Sequence, residues 1–236
     1  MDNDDQLVGR VLSRREILTL AGTATALGVA GGAHAVLLGQ EEPQTKGIVV
    51  APEMTEGPFF VDEKLNRSDI RSNPGDGALR PGLLLELTLR LSEVSARGAK
   101  PLVGAMVDIW HCDAKGFYSD EASNGTSGQK FLRGYQDSDA KGVVKFVTIY
   151  PGWYRGRAVH IHLKVRKDKH EFTTQLFFDD KLSDKVFCRE PYSVSDKRTV
   201  MNDQDGIFTQ GGKKMVLPAV EAKKGFTSMF DIGFAM

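Results

Sequence analysis

Long apolar runs are missing from this chain, cysteine is nearly so, and neither sign of charge prevails. The 236 residues hold two cysteines, five histidines, and 31 basic against 31 acidic side chains. A balanced charge leaves no electrostatic footprint for nucleic acid or an anionic membrane, so neither partner is expected. The apolar stretch near the N-terminus, residues 19–32, is rich in Gly, Ala and Thr and falls short of the roughly 20 strongly apolar residues that span a bilayer. No cysteine directly follows it, which removes a lipid-anchored reading. Cys112 and Cys188 allow one disulfide in an oxidising compartment. Two unlinked thiols are as compatible, because Cys112 lies on a segment expected to be buried. There is no internal repeat and no low-complexity segment.

What stands at the N-terminus is Ser13-Arg14-Arg15-Glu16-Ile17-Leu18, then the weakly apolar stretch, then Ala33-His34-Ala35. This is the layout of a twin-arginine export signal with an A-x-A cleavage site. Residues 1–35 are therefore expected to engage the twin-arginine translocase and be removed, which places the mature protein in the periplasm or outside the cell. Residues 36–52 carry Gly39, Pro43 and Gly47 among polar residues and read as a linker. Residues 53–236 read as one domain, large enough for a single well-buried core.

The domain reads as all-β. Leu83, Leu85, Leu87, Leu89 and Leu91 alternate with Leu84, Glu86, Thr88, Arg90 and Ser92, the pattern of a half-buried strand with its leucine face inward. Residues 103–110, 143–149, 159–165 and 173–178 continue the pattern. Turn signals fall between them at Pro74-Gly75-Asp76-Gly77, Arg97-Gly98, Asn124-Gly125, Lys141-Gly142 and Pro151-Gly152. Many short strands so punctuated predict a β-sandwich with long connecting loops. Residues 121–129 read as a surface loop, and Asp203-Gln204-Asp205-Gly206 as a plain turn, since the downstream acidic position of a calcium loop is missing.

Two segments carry chemistry. In Trp153-Tyr154-Arg155-Gly156-Arg157-Ala158-Val159-His160-Ile161-His162, strand alternation sends His160 and His162 to one face and Val159, Ile161, Leu163 and Val165 to the other. One strand can thus offer two imidazoles to one ion, although a bare His-x-His is more often the polar face of a surface strand. Beyond this pair and His34 only His111 and His170 exist, so oxygen ligands are needed. Asp108-Ile109-Trp110-His111-Cys112-Asp113-Ala114-Lys115-Gly116-Phe117-Tyr118 supplies one by turning through Gly116 to present Tyr118. Two tyrosines with two histidines point to ferric iron, because phenolate is a hard anionic donor, whereas zinc draws on Cys, His and carboxylate.

With Thr55-Glu56-Gly57-Pro58-Phe59-Phe60 and the stretch from Phe131-Leu132-Arg133-Gly134-Tyr135 to Ile149, these segments resemble the intradiol ring-cleavage dioxygenases. These are the catechol and protocatechuate enzymes with non-haem Fe(III). Four separated motifs in the right order carry the resemblance, from about Thr55 to Asp180. It implies Tyr118, Tyr154, His160 and His162 as iron ligands, Arg157 beside a bound catechol, and Gln175 as the active-site glutamine. It also implies Tyr154 as the ligand that leaves the metal to take a substrate proton, with His162 opposite it. The expected reaction inserts both atoms of O2 into a catechol-type ring and yields a cis,cis-muconate. Arg155-Gly156 and Phe59-Phe60 depart from the protocatechuate pattern, which leaves the ring substituents of the substrate open. Oligomeric state, including a homo-oligomer, is open as well.

Two other readings remain at this stage. One is a cofactor-free β-sandwich binding or accessory module; the other is a zinc or Fe(II) enzyme built on His-x-His, which would require a further histidine and a carboxylate. Export makes a separate prediction. Changing Arg14 and Arg15 to lysine is expected to hold the precursor in the cytoplasm, read by fractionation and blotting; unchanged secretion would remove the twin-arginine assignment.

Overall fold

The structure, a computed structural model, describes residues 47–194 and 198–235. The expected export signal and most of the expected linker lie outside the described residues. No helix among the described residues is long and apolar enough to cross a membrane.

Two sheets form an all-β sandwich. The first is built on β2 (Leu84–Ser95), whose leucines at 85, 87, 89 and 91 are fully buried, as their alternation predicts. One edge of β2 pairs antiparallel with β6 (Val143–Ile149) and then with β3 (Gly98–Pro101). Its other edge pairs in parallel with β10 (Gly225–Ala235), which also takes β1 (Val49–Val50) and β9 (Val220–Ala222). The second sheet is antiparallel throughout, in the order β5 (Arg133–Asp137), β4 (Met106–Trp110), β7 (His160–Lys167), β8 (His170–Phe177). One apolar core draws on both sheets, joining the β2 leucines to Val107, Ile109, Ile161, Leu163 and Leu176. Burial of such side chains, at about 1.5–3 kcal/mol each, is the main force holding the sheets together.

Several boundaries differ from expectation for local reasons. The strand expected from Val103 starts at Met106, because Gly104 has φ +65° and leaves Val103 47% exposed. Val49–Val50, read as the end of a linker, pair with Ile232 and Gly233, and the Ala51 amide donates to the Gly233 carbonyl at 2.9 Å. The strand β10 was not expected at all. Its inward row runs Phe226, Ser228, Phe230, Ile232, Phe234, and the serine interrupts the apolar period. A short helix α1 (Asp180–Phe187) follows β8, capped by the Asp179 carboxylate on the Leu182 amide.

Both cysteines are free thiols, Cys112 buried and Cys188 exposed, so no bridge joins them. His111, at the end of β4, ties the two sheets together. Its Nδ1 donates to the Cys112 carbonyl at 2.8 Å, which leaves Nε2 to accept from the Thr148 hydroxyl of β6 at 2.7 Å. Burial pushes this imidazole down to about 4, so it is neutral at pH 7 and structural.

The outer face of the second sheet decides where the site lies. On β7, Ile161, Leu163 and Val165 face the core, yet His160, His162 and Lys164 on the opposite face are also buried. The segment around residues 55–67 covers them. Phe60 packs against Trp110 at 4.8 Å, the Lys164 ammonium lies 4.2 Å over the Phe60 ring, and Lys164 pairs with Glu56 as well as with Glu171 at 2.6 Å.

Candidate metal centre

The Tyr118 side chain reaches the histidines through a loop that the sequence specifies almost atom by atom. The Asp113 carboxylate accepts from the amides of Lys115 at 2.9 Å and Phe117 at 3.0 Å, while its carbonyl accepts from Gly116 at 2.9 Å. This is the local turn that aspartate favours. Gly116 adopts φ +88°, and a Cβ there would sit 2.3 Å from the Trp153 carbonyl oxygen. Gly152, on the other loop, is just as close; its Cβ would lie 2.3 Å from the Asp113 carbonyl, to which its own amide donates. The two tyrosine-bearing loops thus touch backbone to backbone, and glycine is the residue that permits it.

A second tie comes from Arg133. Its Nε and Nη2 donate to the Ser119 hydroxyl and carbonyl, each at 2.6 Å, and Nη1 donates to the Phe59 carbonyl at 3.2 Å. The same Phe59 stacks on Tyr118, ring centroids 4.2 Å apart, and meets Tyr154 edge-on at 5.8 Å. Thr126, in the loop expected over residues 121–129, donates to the Tyr118 carbonyl at 2.6 Å.

The structure brings Tyr118, Tyr154, His160 and His162 together. His160 Nε2 lies 3.1 Å from His162 Nε2, 3.4 Å from the Tyr118 hydroxyl and 3.5 Å from the Tyr154 hydroxyl. Donors held about 2.0–2.2 Å from one ion are separated from each other by just such distances. The orientation fits too. His160 Nδ1 donates to the Ala158 carbonyl at 2.7 Å, which leaves Nε2 its lone pair. His162 Nδ1 is buried without a hydrogen-bond partner, and its ring is held by stacking on Trp110 at 4.8 Å and 6°.

Burial, and after it the Arg157 charge, hold His160 well below the usual imidazole value; His162 is lowered by burial and then by His160. Both are neutral, the form that ligates metal. Burial, and then the neighbouring Tyr154, hold the Tyr118 phenol well above its usual value, so it needs a nearby cation to ionise. The four donors therefore fit a hard, highly charged ion. Among the described residues no three or more His, Cys, Asp or Glu side chains converge, so the carboxylate-bearing zinc or Fe(II) site is not supported.

Arg157 and Gln175 stand in one buried network. Arg157 Nη2 donates to Gln175 Oε1 at 2.6 Å, and Gln175 Nε2 donates to the Thr55 carbonyl at 3.0 Å. Gln175 is fully buried. Three supporting residues were not singled out by the sequence: Asp113, Arg133 and Asp205. Asp205, within the expected plain turn, is 1% exposed and pairs with Arg157 at 3.0 Å. Asp113 ahead of Gly116 was a usable turn signal; nothing local marks Arg133 or Asp205.

The family model of the dioxygenases matches residues 55–215. An intradiol ring-cleavage dioxygenase of Tetranychus urticae is 31% identical, with a TM-score of 0.68 over 79% of this chain and 94% of that one. The catechol 1,2-dioxygenase 1 of Acinetobacter lwoffii is 25% identical over 202 residues, which cover 75% of this chain. The chain spans 56% of the length of that curated relative. A solved catechol 1,2-dioxygenase of an Acinetobacter species is 25% identical, with a TM-score of 0.55 over 78% of this chain and 62% of that one. The chain belongs to the dioxygenase family, and within it to the intradiol ring-cleavage dioxygenases, a family of enzymes.

The loop crossing is open to direct test. Gly116→Ala is expected to cost about 2–3 kcal/mol, from the left-handed backbone plus the clash with the Trp153 carbonyl, and to weaken metal binding. Gly77→Ala is the control, since Gly77 has φ +69° but nothing within 4 Å of its Cβ. Urea unfolding measures both; equal losses would remove the crossing as a constraint.

Proposed function

We propose that the protein is a non-haem Fe(III) dioxygenase that cleaves a catechol between its two hydroxyl-bearing carbons and gives a cis,cis-muconate. The observation that carries this reading is the meeting of two phenols and two neutral imidazoles around one point, beside a buried arginine. Tyr118, Tyr154, His160 and His162 would hold the iron. When bound, Fe(III) draws electron density from a catecholate and makes its ring reactive towards O2.

The residues of the chain divide the remaining work. Tyr154 is the half-buried member of the four, between half-buried Trp153 and exposed Arg155 and Gly156, whereas Tyr118 is 1% exposed. Its phenol is therefore the one placed to take a catechol proton at its hydroxyl oxygen. Tyr118, stacked under Phe59 and followed by Ser119, which Arg133 anchors, stays in place. Arg157 keeps its charge at any working pH, and a fixed guanidinium beside the ring favours the carbanion-like form of the substrate that O2 attacks. Phe59, against both phenol rings, and Phe60, against Trp110, add apolar surface beside the four donors. Single-ring catechols are the substrate class, reached outside the cytoplasm if the N-terminal signal acts as read.

The product decides the proposal. Iron-loaded protein given catechol and O2 is expected to release a muconate, identified by chromatography; a yellow semialdehyde, from cleavage outside the diol, would overturn it. Arg157→Ala is expected to keep its iron and lose about 3 kcal/mol of transition-state stabilisation, roughly a hundredfold in rate.

A further inference from the structure

The Asp205 carboxylate accepts four hydrogen bonds, two at each oxygen. Oδ1 accepts from the amides of Ile207 at 2.8 Å and Phe208 at 3.0 Å, which caps the short helix α2 (Gly206–Thr209). Oδ2 accepts from Arg157 Nε at 3.0 Å and from the Ala158 amide at 2.8 Å. The pair is almost dry, with side-chain exposures of 5% for Arg157 and 1% for Asp205. Buried ion pairs of this kind rarely out-stabilise apolar packing, so stability alone is a poor account of this one. Geometry is a better account. The Asp205 carboxylate holds the guanidinium at Nε and Gln175 holds it at Nη2, and two contacts at different nitrogens fix the orientation of its plane.

Both clamps are referred to one strand. Gln175 lies on β8, and the segment carrying Asp205 is fastened to the end of that strand on either side of α2. The Asn202 side-chain Nδ2 donates to the Phe178 carbonyl at 2.8 Å, and the Leu217 backbone amide donates to the Phe177 carbonyl at 2.8 Å. Phe208 packs edge-on against Phe177 at 5.1 Å, and Phe177 in turn lies 6.1 Å from the His160 ring. The carboxylate is therefore held in register with the strand that pairs with the histidines, His160 opposite Phe177 and His162 opposite Gln175.

We infer that Asp205 is the positioning residue of Arg157, setting where the guanidinium charge stands relative to the ring being cleaved. It touches Arg157 and no reacting atom. The inference rests on the proposed function for its catalytic consequence, and on the buried pair alone for its structural one.

Asp205→Asn separates the two tasks of this side chain. The amide oxygen can keep the helix cap, a place where asparagine serves as well as aspartate, while its NH2 faces two donors, Arg157 Nε and the Ala158 amide. In the iron-loaded protein the variant is expected to keep its metal content and its KM within about twofold. Its kcat is expected to fall between about tenfold and a hundredfold, as for a misplaced catalytic group. In an Arg157→Ala background the same change is expected to cost nothing further, which a merely structural role would not produce. Independently of activity, the Arg157 Nε proton is expected to exchange slowly with solvent by NMR in the native protein and faster in the variant. Asp205→Ser, which keeps a capping hydroxyl and removes the anion, replaces the asparagine variant should that one fail to fold. Full kcat in either variant, or an equal further loss without Arg157, would overturn the inference. A native protein that forms no muconate would overturn the proposed function instead; the Nε proton would then decide the clamp, slow exchange abolished in the variant upholding it and unchanged exchange refuting it.

Discussion

Where Gly116 passes the Trp153 carbonyl and Gly152 passes the Asp113 carbonyl, the loops at the facing ends of the neighbouring strands β4 and β7 are in backbone contact, and the rest of the site follows from that contact. The first loop ends on Tyr118 and the second on Tyr154, so their rings come within 5.6 Å of each other. A strand then brings the histidines to the same point, because β7 leaves the second loop directly and its alternation fixes both imidazoles on one face. Any side chain at either glycine would separate the loops. The chemistry of the site is thus a consequence of two places where the chain has no Cβ.

Holding polar groups in so dry a place is expensive, and the structure meets the cost with a second layer of fixed partners. Arg133 anchors the Tyr118 loop and the Phe59 backbone together. The Ala158 carbonyl orients His160, Trp110 supports His162 by stacking, and Asp205 with Gln175 holds Arg157. Lys164, buried beneath Phe60 and paired with Glu56, fastens the segment that roofs the centre. Most of these groups are satisfied by residues remote in sequence, so the four donors have little freedom to relax.

How much of this was legible beforehand depends on whether the signal was local. The leucine row of β2 and the His-x-His of β7 are periodic, and a period survives in any tertiary setting that buries one face. Tyr118 was legible because Gly116 announces a turn. By contrast, β10 escaped because Ser228 occupies an inward position, and its parallel pairing with β2 depends on chain return from the far end of the sequence. Asp205 escaped for a different reason. A carboxylate ahead of glycine looks like an ordinary helix cap or turn, and it is indeed a cap; its second oxygen finds Arg157 only in the folded chain, 48 residues away in sequence. Supporting residues of this kind carry no spacing rule, since their partners are fixed by tertiary packing.

We propose that both phenols ionise on one ferric ion, and the visible spectrum of the iron-loaded protein reads this out. Two tyrosinates on Fe(III) predict a burgundy to red protein, with a band that shifts and weakens when either Tyr118 or Tyr154 is changed to phenylalanine. A colourless protein that carries stoichiometric zinc and stays colourless after reconstitution with iron would contradict the account.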